Sequence, residues 1–341
     1  MRAELNREQW LALRTGSIGA SEAAAACGES KYCSALRLWA EKSGKQEREH
    51  VSTFATRRGL ALEAFGLEEY AYATGYRLLP TATPEDRAAF EQRLEALGAC
   101  KVEGWVHERG RWQPFVRSTK WPWMTATLDG LAERPDGTLE VVEIKTVGMN
   151  AARDWGGDES GMAPTIYRFQ VLHSLAVTGV ESACLGAVIG MDALRMVIES
   201  AHAPSIPIHS IVALEGSFAR CLREGVEPDW DSAAAGDARK VRSALHPDDS
   251  GRTIILPADV MTIHVELQAW RTERLKLKKR VKDLETLEEQ AATRIEALLD
   301  GATYGSLPDG SGEYVRKTVS RAGYTVGPTT YPQLTFKENG K

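Results

Sequence analysis

The sequence predicts a mixed α/β protein of the α+β kind, in which a mixed central sheet is flanked by helices and followed by a long C-terminal helix. Residues 121–145 place a Pro-Asp-Gly turn between two apolar, β-branched runs, which predicts a β-hairpin. Residues 164–179 predict a helix with proline in its first turn and glycine at its end, and the apolar run 183–191 predicts a buried strand after it. Residues 259–300 combine many charges with apolar residues at 3-4 spacing, which is typical of a long amphipathic helix.

The hairpin carries the first candidate site. Asp129 is expected to end its first strand, and Glu143 and Lys145 lie two apart on the second. Strand side chains alternate between faces, so Glu143 and Lys145 should point the same way and Ile144 the opposite way. Carboxylates this close repel each other unless a cation compensates them, and oxygen ligands suit Mg²⁺ or Mn²⁺. The alternative is a surface hairpin with an ordinary Glu-Lys pair.

A second candidate site lies near the N-terminus. Residues 7–14 predict a short amphipathic helix, and Ser21 precedes an alanine-rich run that ends at Gly28. A helix N-terminus with a free hydroxyl, close to Arg14, favours an anion such as phosphate. Helix capping by Ser21 is the simpler alternative.

Two further helices can reach the hairpin. Residues 53–75 predict a helix with Leu62, Phe65 and Leu67 on its buried face, and Glu63 on this helix is either a third carboxylate of the site or a solvated one. In the helix 164–179, Tyr167 and Gln170 are three apart and should meet the polar edge of the hairpin. His173 is expected to be a hydrogen-bonded helix histidine and not a metal ligand.

Composition narrows the class of protein. The formal charge of −5 argues against coating of nucleic acid by bulk basicity, although a local basic groove remains compatible with it. No apolar run is long enough to cross a bilayer, and the first residues lack the apolar core of a signal peptide, so we expect a cytoplasmic protein without a membrane partner. The 5 cysteines are scattered without a Cys-x-x-Cys pair, which disfavours disulfide frameworks, structural zinc and iron–sulfur clusters.

The predicted organisation has four parts: a domain at 1–230, a polar linker at 231–257, a long helix at 258–300, and a small β-hairpin with a flexible tail at 301–341. Residues 84–120 are expected to form an exposed insertion, with a further hairpin within 102–116. In the long helix, Arg274 and Glu288 interrupt the apolar stripe. This interruption favours a short coiled coil or a helical hairpin over one uninterrupted helix.

Five blocks of sequence occur in an order that resembles a known family. The chain is similar, over roughly residues 7–230, to YqaJ-type viral recombinase nucleases, which are relatives of the phage lambda exonuclease within the PD-(D/E)xK fold. The blocks are Arg14-Thr-Gly-Ser-Ile-Gly-Ala-Ser21-Glu, Arg58-Gly-Leu-Ala-Leu-Glu63, Leu128-Asp129-Gly-Leu, Val142-Glu143-Ile-Lys145 and Tyr167-Arg-Phe-Gln170.

The resemblance implies a role for each matching position. Asp129, Glu143 and the carbonyl of Ile144, with Glu63 directly or through water, would hold one or two Mg²⁺ ions. Lys145 would orient the attacking water, Gln170 would support the lysine or the water, and Tyr167 would line the same wall. Arg14 and Ser21 would hold a 5′ phosphate. The expected partners are ends of double-stranded DNA, a phage single-strand-annealing protein, and further copies of the chain in a ring-shaped trimer.

The implied activity is 5′→3′ hydrolysis of linear duplex DNA, leaving 3′ overhangs. Two alternatives stay open at this point. The same fold supports endonucleases of restriction or repair type, since what surrounds the site decides the substrate. The second alternative is a non-catalytic DNA-end-binding or assembly protein with a vestigial metal site. The long helix is expected either to self-associate, to dock an annealing partner, or to fold back on the nuclease core.

Overall fold

A computed structural model describes residues 2–48, 53–108, 110–156, 161–190, 193–229, 234–246, 251 and 253–316. The chain divides into two compact units, residues 1–247 and 248–341. The helices of the first unit are α1 (Arg7–Thr15), α2 (Ala23–Ala26), α3 (Ala35–Lys42), α4 (Phe54–Thr74), α5 (Pro84–Glu95), α6 (Thr165–Thr178), α7 (Ile208–Glu224) and α8 (Ala235–Leu245). Its strands are β1 (Ala3–Leu5), β2 (Ile18–Gly19), β3 (Arg77–Leu78), β4 (Cys100–Glu108), β5 (Arg111–Ser118), β6 (Met124–Thr127), β7 (Gly130–Glu133), β8 (Leu139–Val147), β9 (Ser182–Ile189) and β10 (Ala193–Ser200).

These strands form two mixed five-stranded sheets. The first has the order β1-β4-β5-β6-β2 and the second the order β10-β9-β8-β7-β3. The chain passes from the first sheet to the second between β6 and β7, across Leu128 and Asp129. The mixed sheet flanked by helices that the sequence predicts is therefore present, but it is divided in two at Asp129.

Capping explains where several helices begin and end. Asn6 and Gln9 form a reciprocal capping box at the start of α1, and Thr83 caps α5 with Pro84 in its first turn. Gly179 ends α6 with a positive φ of 72°, a conformation that glycine adopts without steric cost. The predicted strand pairings β4–β5, β7–β8 and β9–β10 are all present and antiparallel.

Helices α4 and α6 position the site on the second sheet. Leu67 and Tyr70 of α4 are buried against Val142 and Ile144 of β8. Helix α6 packs against β8 and β9 and also against β5 and β6 of the first sheet. Phe65, predicted to be buried, is 40% exposed, because the face of α4 that meets the sheet is centred on Leu67 and Tyr70.

The predictions for residues 84–120 and 231–257 are wrong. Residues 84–120 are not an exposed insertion: α5 buries Phe90 and Leu94 in the main core, and β4 and β5 are central strands of the first sheet. The linker predicted for 231–257 contains α8, whose Val241 is buried with Trp39 of α3. Residues 231–257 are polar in composition, so the sequence did not predict this short amphipathic helix. Asp237 fixes the helix to the start of α3, because its carboxylate pairs with Arg37 and accepts a hydrogen bond from the Ser34 amide.

The second unit contains α9 (Val260–Leu299) and a hairpin of β11 (Tyr304–Ser306) and β12 (Glu313–Val315). Helix α9 is continuous, so the predicted helical hairpin is wrong: arginine and glutamate are good helix formers and do not break the helix at 274 and 288. The predicted tail lies mostly outside the described residues. No helix in the described part of the chain is long and apolar enough to cross a membrane.

Candidate active site at the junction of the two sheets

Asp129 lies at the break between the two sheets and not at the end of a hairpin strand. Strand β7 begins at Gly130, opposite Val142, so β8 extends beyond this partner. Asp129 lies beside the part of β8 that β7 does not pair with, and its Oδ2 accepts a hydrogen bond from the Ile144 amide at 3.0 Å. The geometry fixes the carboxylate of Asp129 beside the continuing part of β8, where Glu143 and Lys145 follow.

Glu143 and Lys145 share a face of β8, as strand alternation predicts. Lys145 Nζ donates to Glu143 Oε1 at 2.5 Å, and Nε2 of Gln170, from α6, donates to the same oxygen at 2.5 Å. Glu143 is buried and Gln170 nearly so. Ile144, between the two polar residues, points into the α4 interface instead. The surface-hairpin alternative is therefore excluded, because this Glu-Lys pair is enclosed by a helix.

Glu63 joins this group from α4. Its Oε1 accepts hydrogen bonds from Arg111 Nη1 at 2.9 Å and from Gln113 Nε2 at 2.6 Å, and Gln113 Nε2 also lies 3.5 Å from Asp129 Oδ1. Arg111 further donates to the carbonyl of Asp129 at 2.6 Å. Arg111 and Gln113 of β5 were not anticipated. Their spacing of two on a predicted strand, which places both side chains on one face, was the available signal.

Tyr167 and Trp155 form one wall of the group. The ring of Tyr167 stacks on Trp155 at 5.7 Å and lies 5.3 Å from Lys145 Nζ. A cation this close to an aromatic face is attracted by the ring quadrupole. Tyr167 therefore helps to hold the ammonium of Lys145 in place, which agrees with the predicted position of Tyr167 on the site wall.

The electrostatics of the group favour an additional cation. Burial raises the pKa of Glu143 to about 8, and repulsion from Asp129 adds to the effect. Burial and Asp129 together raise the pKa of Glu63 to about 7, against the attraction of Arg111. Burial lowers the pKa of Lys145, but Glu143 and Asp129 outweigh it and raise that pKa overall. Three carboxylates thus face two cations, and without more positive charge a glutamate binds a proton near neutral pH.

The donor chemistry fits a hard divalent cation. Asp129, Glu143, Glu63 and the carbonyl of Ile144 offer only oxygen atoms, the ligands that Mg²⁺ and Mn²⁺ prefer. Within the described residues, no three His, Cys, Asp or Glu side chains close into a ready-made ligand cluster. Oε1 of Glu63 and Oε1 of Glu143 instead accept hydrogen bonds from protein donors, so a cation would compete with those donors for the carboxylates.

Arg14 lies in a basic cluster around a buried glutamate. Glu22 is 4% exposed and pairs with Arg14 at 3.1 Å, Lys42 at 2.9 Å and Arg48 at 3.2 Å. Arg48 also lies 3.8 Å from Glu41, so three cations face two carboxylates and one positive charge is in excess. Arg14 Nε is buried and has no hydrogen-bond partner in the described structure. The cluster therefore retains both charge and a donor for an anion.

Ser21 is not a helix cap, contrary to the simpler prediction. It lies within a short 3₁₀ turn, Ala20–Glu22, and it caps neither this turn, whose N-cap is Gly19, nor α2, whose N-cap is Glu22. Ser21 Oγ instead lies 3.5 Å from Arg14 Nη2. Glu22 was missed by the sequence analysis, although the three-residue step from Gly19 to Glu22 matches the bond that the Gly19 amide donates to Glu22 Oε2.

A small cavity beside Arg14 and Ser21 is also lined by Gln170 of the carboxylate–lysine group. Gln170, whose amide donates to Glu143, also lines this cavity together with Arg14 and Ser21. The remaining lining residues are Gly19, Ala20, Phe115, Thr125, Ala126 and Thr127. The carboxylate–lysine group and the Arg14 cluster are distant in sequence, but the side chain of Gln170 lies between them.

The fold and the site define an α/β protein with a buried carboxylate–lysine group at the junction of two mixed sheets. The chain belongs to the family of YqaJ-like viral recombinase domains, whose family model matches residues 9–181. This range includes all the predicted site residues.

Individual relatives are distant. An uncharacterized protein YqaJ of Bacillus subtilis (strain 168) is 23% identical over 179 residues, which are 52% of this chain and 44% of the relative. The chain thus spans less than half of that protein. Two crystal structures of LHK-Exo, an alkaline exonuclease from Laribacter hongkongensis, one of them in complex with dAMP, are 18% identical, with TM-scores of 0.46 and 0.44. Each match covers 64% of this chain and 93% of LHK-Exo.

Proposed function

We propose that this chain is a Mg²⁺-dependent deoxyribonuclease that degrades linear double-stranded DNA from the 5′ end and leaves 3′ overhangs. Family membership supports a nuclease of viral recombination. The position of Gln170, between the carboxylate–lysine group and the Arg14 cluster, supports recognition of the 5′ end. One cavity can then hold a terminal phosphate while the adjoining group acts on the next phosphodiester.

Asp129, Glu143, the Ile144 carbonyl and Glu63 would hold one or two Mg²⁺ ions, or Mn²⁺ in their place. When bound, the ions supply charge neutralisation for the phosphodiester and a nucleophile at neutral pH. Lys145 orients the attacking water, since its ammonium is fixed by Glu143 and Tyr167. Gln170 holds Glu143 through Oε1, and Arg111 and Gln113 hold Glu63 and Asp129 in reach of each other.

The 5′ phosphate would bind between Arg14 and Ser21. The free Nε of Arg14 and the surplus charge of the cluster favour a dianion, and the Ser21 hydroxyl adds a donor. This pocket separates an end-dependent exonuclease from an endonuclease. The 3′ overhang would be passed to a single-strand-annealing protein, and the enzyme would act as an oligomer around DNA, a ring-shaped trimer by analogy with the lambda-type enzymes.

A substrate comparison tests the proposal. The full chain, Lys145→Ala and the surface control Lys101→Ala are incubated with 5′-phosphorylated linear duplex, 5′-hydroxyl linear duplex and closed circular duplex, with and without Mg²⁺. We expect Mg²⁺-dependent loss of linear DNA that is faster with the 5′ phosphate, unchanged in Lys101→Ala and reduced at least 100-fold in Lys145→Ala, since positioned polar groups at a reacting centre contribute about that much.

Each other outcome has a defined meaning. Cleavage of the circle at the rate of the linear DNA would make the protein an endonuclease and remove the 5′-end role of Arg14 and Ser21. Binding of DNA ends without any product would leave a non-catalytic end-binding protein. Equal activity of Lys145→Ala and the parent chain would contradict the assigned site.

A further inference from the structure

The apolar face of helix α9 is exposed in the part of the chain that the structure describes. It is 40 residues long, roughly 60 Å at the rise of an α-helix, and none of its residues is buried. Trp270 and Leu277 are 66% and 57% exposed. A continuous exposed apolar surface of this extent marks an interaction site.

The apolar face follows a heptad repeat without a phase change. The residues at its a and d positions, here called the seam, are Val260, Ile263, Leu267, Trp270, Arg274, Leu277, Val281, Leu284, Glu288, Ala291, Ile295 and Leu298. A strict seven-residue repeat is the pattern of a helix that supercoils around another helix. Its only charged members are Arg274 and Glu288, which are opposite in sign and 14 positions apart.

Charge is also divided along α9. Residues 271–282 are basic apart from one glutamate, and residues 283–300 are acidic apart from Arg294. Two copies side by side therefore attract along their length when they run in opposite directions with these blocks facing each other. In a parallel pair in register, each block faces its own kind.

The seam selects one antiparallel register. When Val281 packs against Leu284 of a second copy, every a position on either side faces a d position of that copy. Moving outward from this centre, the facing pairs are Leu277 with Glu288, Arg274 with Ala291, Trp270 with Ile295, and Leu267 with Leu298. Arg274 faces a small residue and lies one layer from Glu288 of the second copy, so its long side chain can reach that carboxylate.

The flanking positions agree with this register. Lys278 faces Glu285 of the second copy on one side of the seam, and Glu273 faces Arg294 on the other. Twofold symmetry repeats each pair. A parallel pair in register also brings opposite charges together at its flanks, but it places Arg274 against Arg274 and Glu288 against Glu288 within the seam, where like charges are most costly.

We propose that α9 is a homodimerisation helix that pairs with α9 of a second copy in the antiparallel register centred on Val281 and Leu284. The partner of the apolar face is thus the same helix of another copy of this chain. Opposite charges at 274 and 288 set the direction and the register. The two nuclease units of such a dimer are joined through their C-terminal helices.

Charge-swap variants of the full chain test the proposal by sedimentation equilibrium, with helix content followed by circular dichroism. Arg274→Glu puts a negative charge close to Glu288 of the second copy, and the twofold symmetry repeats this contact. We expect the dissociation constant of the dimer to rise roughly tenfold. The double variant Arg274→Glu/Glu288→Arg restores opposite charges only in the antiparallel arrangement and should regain the parent affinity. The matched control Lys279→Glu/Glu289→Arg makes the same charge changes away from the seam and should behave as the parent.

The masses decide between the alternatives, whatever assembly the first unit forms. The proposal predicts that the parent, the double variant and the control have a larger weight-average mass than Arg274→Glu at concentrations between the two dissociation constants. A double variant as weak as Arg274→Glu would overturn the register. A parallel pair keeps like charges at 274 and at 288 in all four proteins, so equal dimerisation of all four would also overturn it. A common mass equal to that of the protein without α9 pairing, in all four proteins, would overturn the self-association of α9.

Discussion

Gln170 is in contact with both candidate sites. Its amide holds Glu143, and its side chain lines the cavity that Arg14 and Ser21 also line. Helix spacing placed Gln170 and Tyr167 on one face of α6 and predicted contact with the polar edge of the hairpin, but it did not predict that Gln170 also reaches the cavity lined by Arg14. Packing of α6 against strands of both sheets places Gln170 between the carboxylate–lysine group and the Arg14 cluster.

Gly19→Ala tests the Arg14 pocket at the level of a single methyl group. A Cβ at position 19 would lie 2.8 Å from Arg14 Nη2, so the guanidinium must shift. We expect the preference for 5′-phosphorylated over 5′-hydroxyl duplex to fall about tenfold, since a charge-assisted hydrogen bond contributes roughly 1.5–3 kcal/mol. Gly16→Ala is the control, because nothing lies within 4 Å of a Cβ there. An unchanged preference in Gly19→Ala would separate Arg14 from end recognition.

At the level of elements, the approach of α4 to β8 brings Glu63 to the site. Gly66 permits it: a Cβ at position 66 would lie 2.5 Å from Ile144 Cγ2 and 3.1 Å from Val188 Cγ2. Gly59 lies two turns earlier on the same face of α4, and a Cβ there would lie 3.2 Å from Thr146 Oγ1. The two glycines let the helix backbone lie on the sheet, so that Glu63, between them, reaches Arg111 and Gln113 of the other sheet.

Gly66→Ala should separate α4 from β8. Overpacking of a close interface costs roughly 1–3 kcal/mol, which outweighs the gain in helix propensity of about 1 kcal/mol. We expect a lower free energy of unfolding in urea and a higher Mg²⁺ concentration at half-maximal nuclease activity, because Glu63 is displaced with its helix. Gly236→Ala, in α8 with open space around its Cβ, should be neutral or stabilising. Equal free energies of unfolding for Gly66→Ala and the parent would show that α4 and β8 accommodate the added methyl group without loss of stability.

At the level of the whole molecule, buried ion pairs tie distant elements together. Glu22 joins α1, α3 and the segment after α3 through Arg14, Lys42 and Arg48. Glu140 of β8 is fully buried and accepts hydrogen bonds from Tyr70 of α4, at 2.6 Å, and Ser182 of β9, at 2.7 Å. Breaking such a group by removing one partner leaves uncompensated buried charge.

Acid unfolding should report the Glu22 cluster. Burial raises the pKa of Glu22, but attraction to Arg14 and Lys42 outweighs it and lowers the pKa from 4.5 to about 2. A lowered pKa in the folded state means that the stabilisation is present above pH 4.5 and is lost as pH falls toward 2. Glu22→Gln should therefore lower the free energy of unfolding at pH 7 by roughly 3 kcal/mol, and this difference should shrink near pH 3.

Urea unfolding at pH 7 and pH 3 measures that difference. Glu181→Gln, at an exposed carboxylate, serves as the control and should change neither value by more than about 0.5 kcal/mol. A difference between Glu22→Gln and the parent that stays constant from pH 7 to pH 3 would contradict the assigned charge state of Glu22.

The sequence by itself determined the elements and the chemistry that depend on local periodicity. The strand alternation of Glu143 and Lys145, the helices bearing Glu63 and Gln170, and the heptad pattern of 259–300 all follow from neighbours along the chain. The order of the five motif blocks was enough to predict the family. These features are local or ordered along the chain, and no folded structure is needed to see them.

Only the tertiary structure decided what those residues meet. It placed Asp129 at a break between two sheets, made β4 and β5 central, folded 235–245 into a packed helix, and surrounded Glu22 with three cations. It also brought Arg111 and Gln113 to Glu63 across about fifty positions of sequence. Such contacts depend on how elements pack, and burial, not local propensity, decides which polar groups must pair.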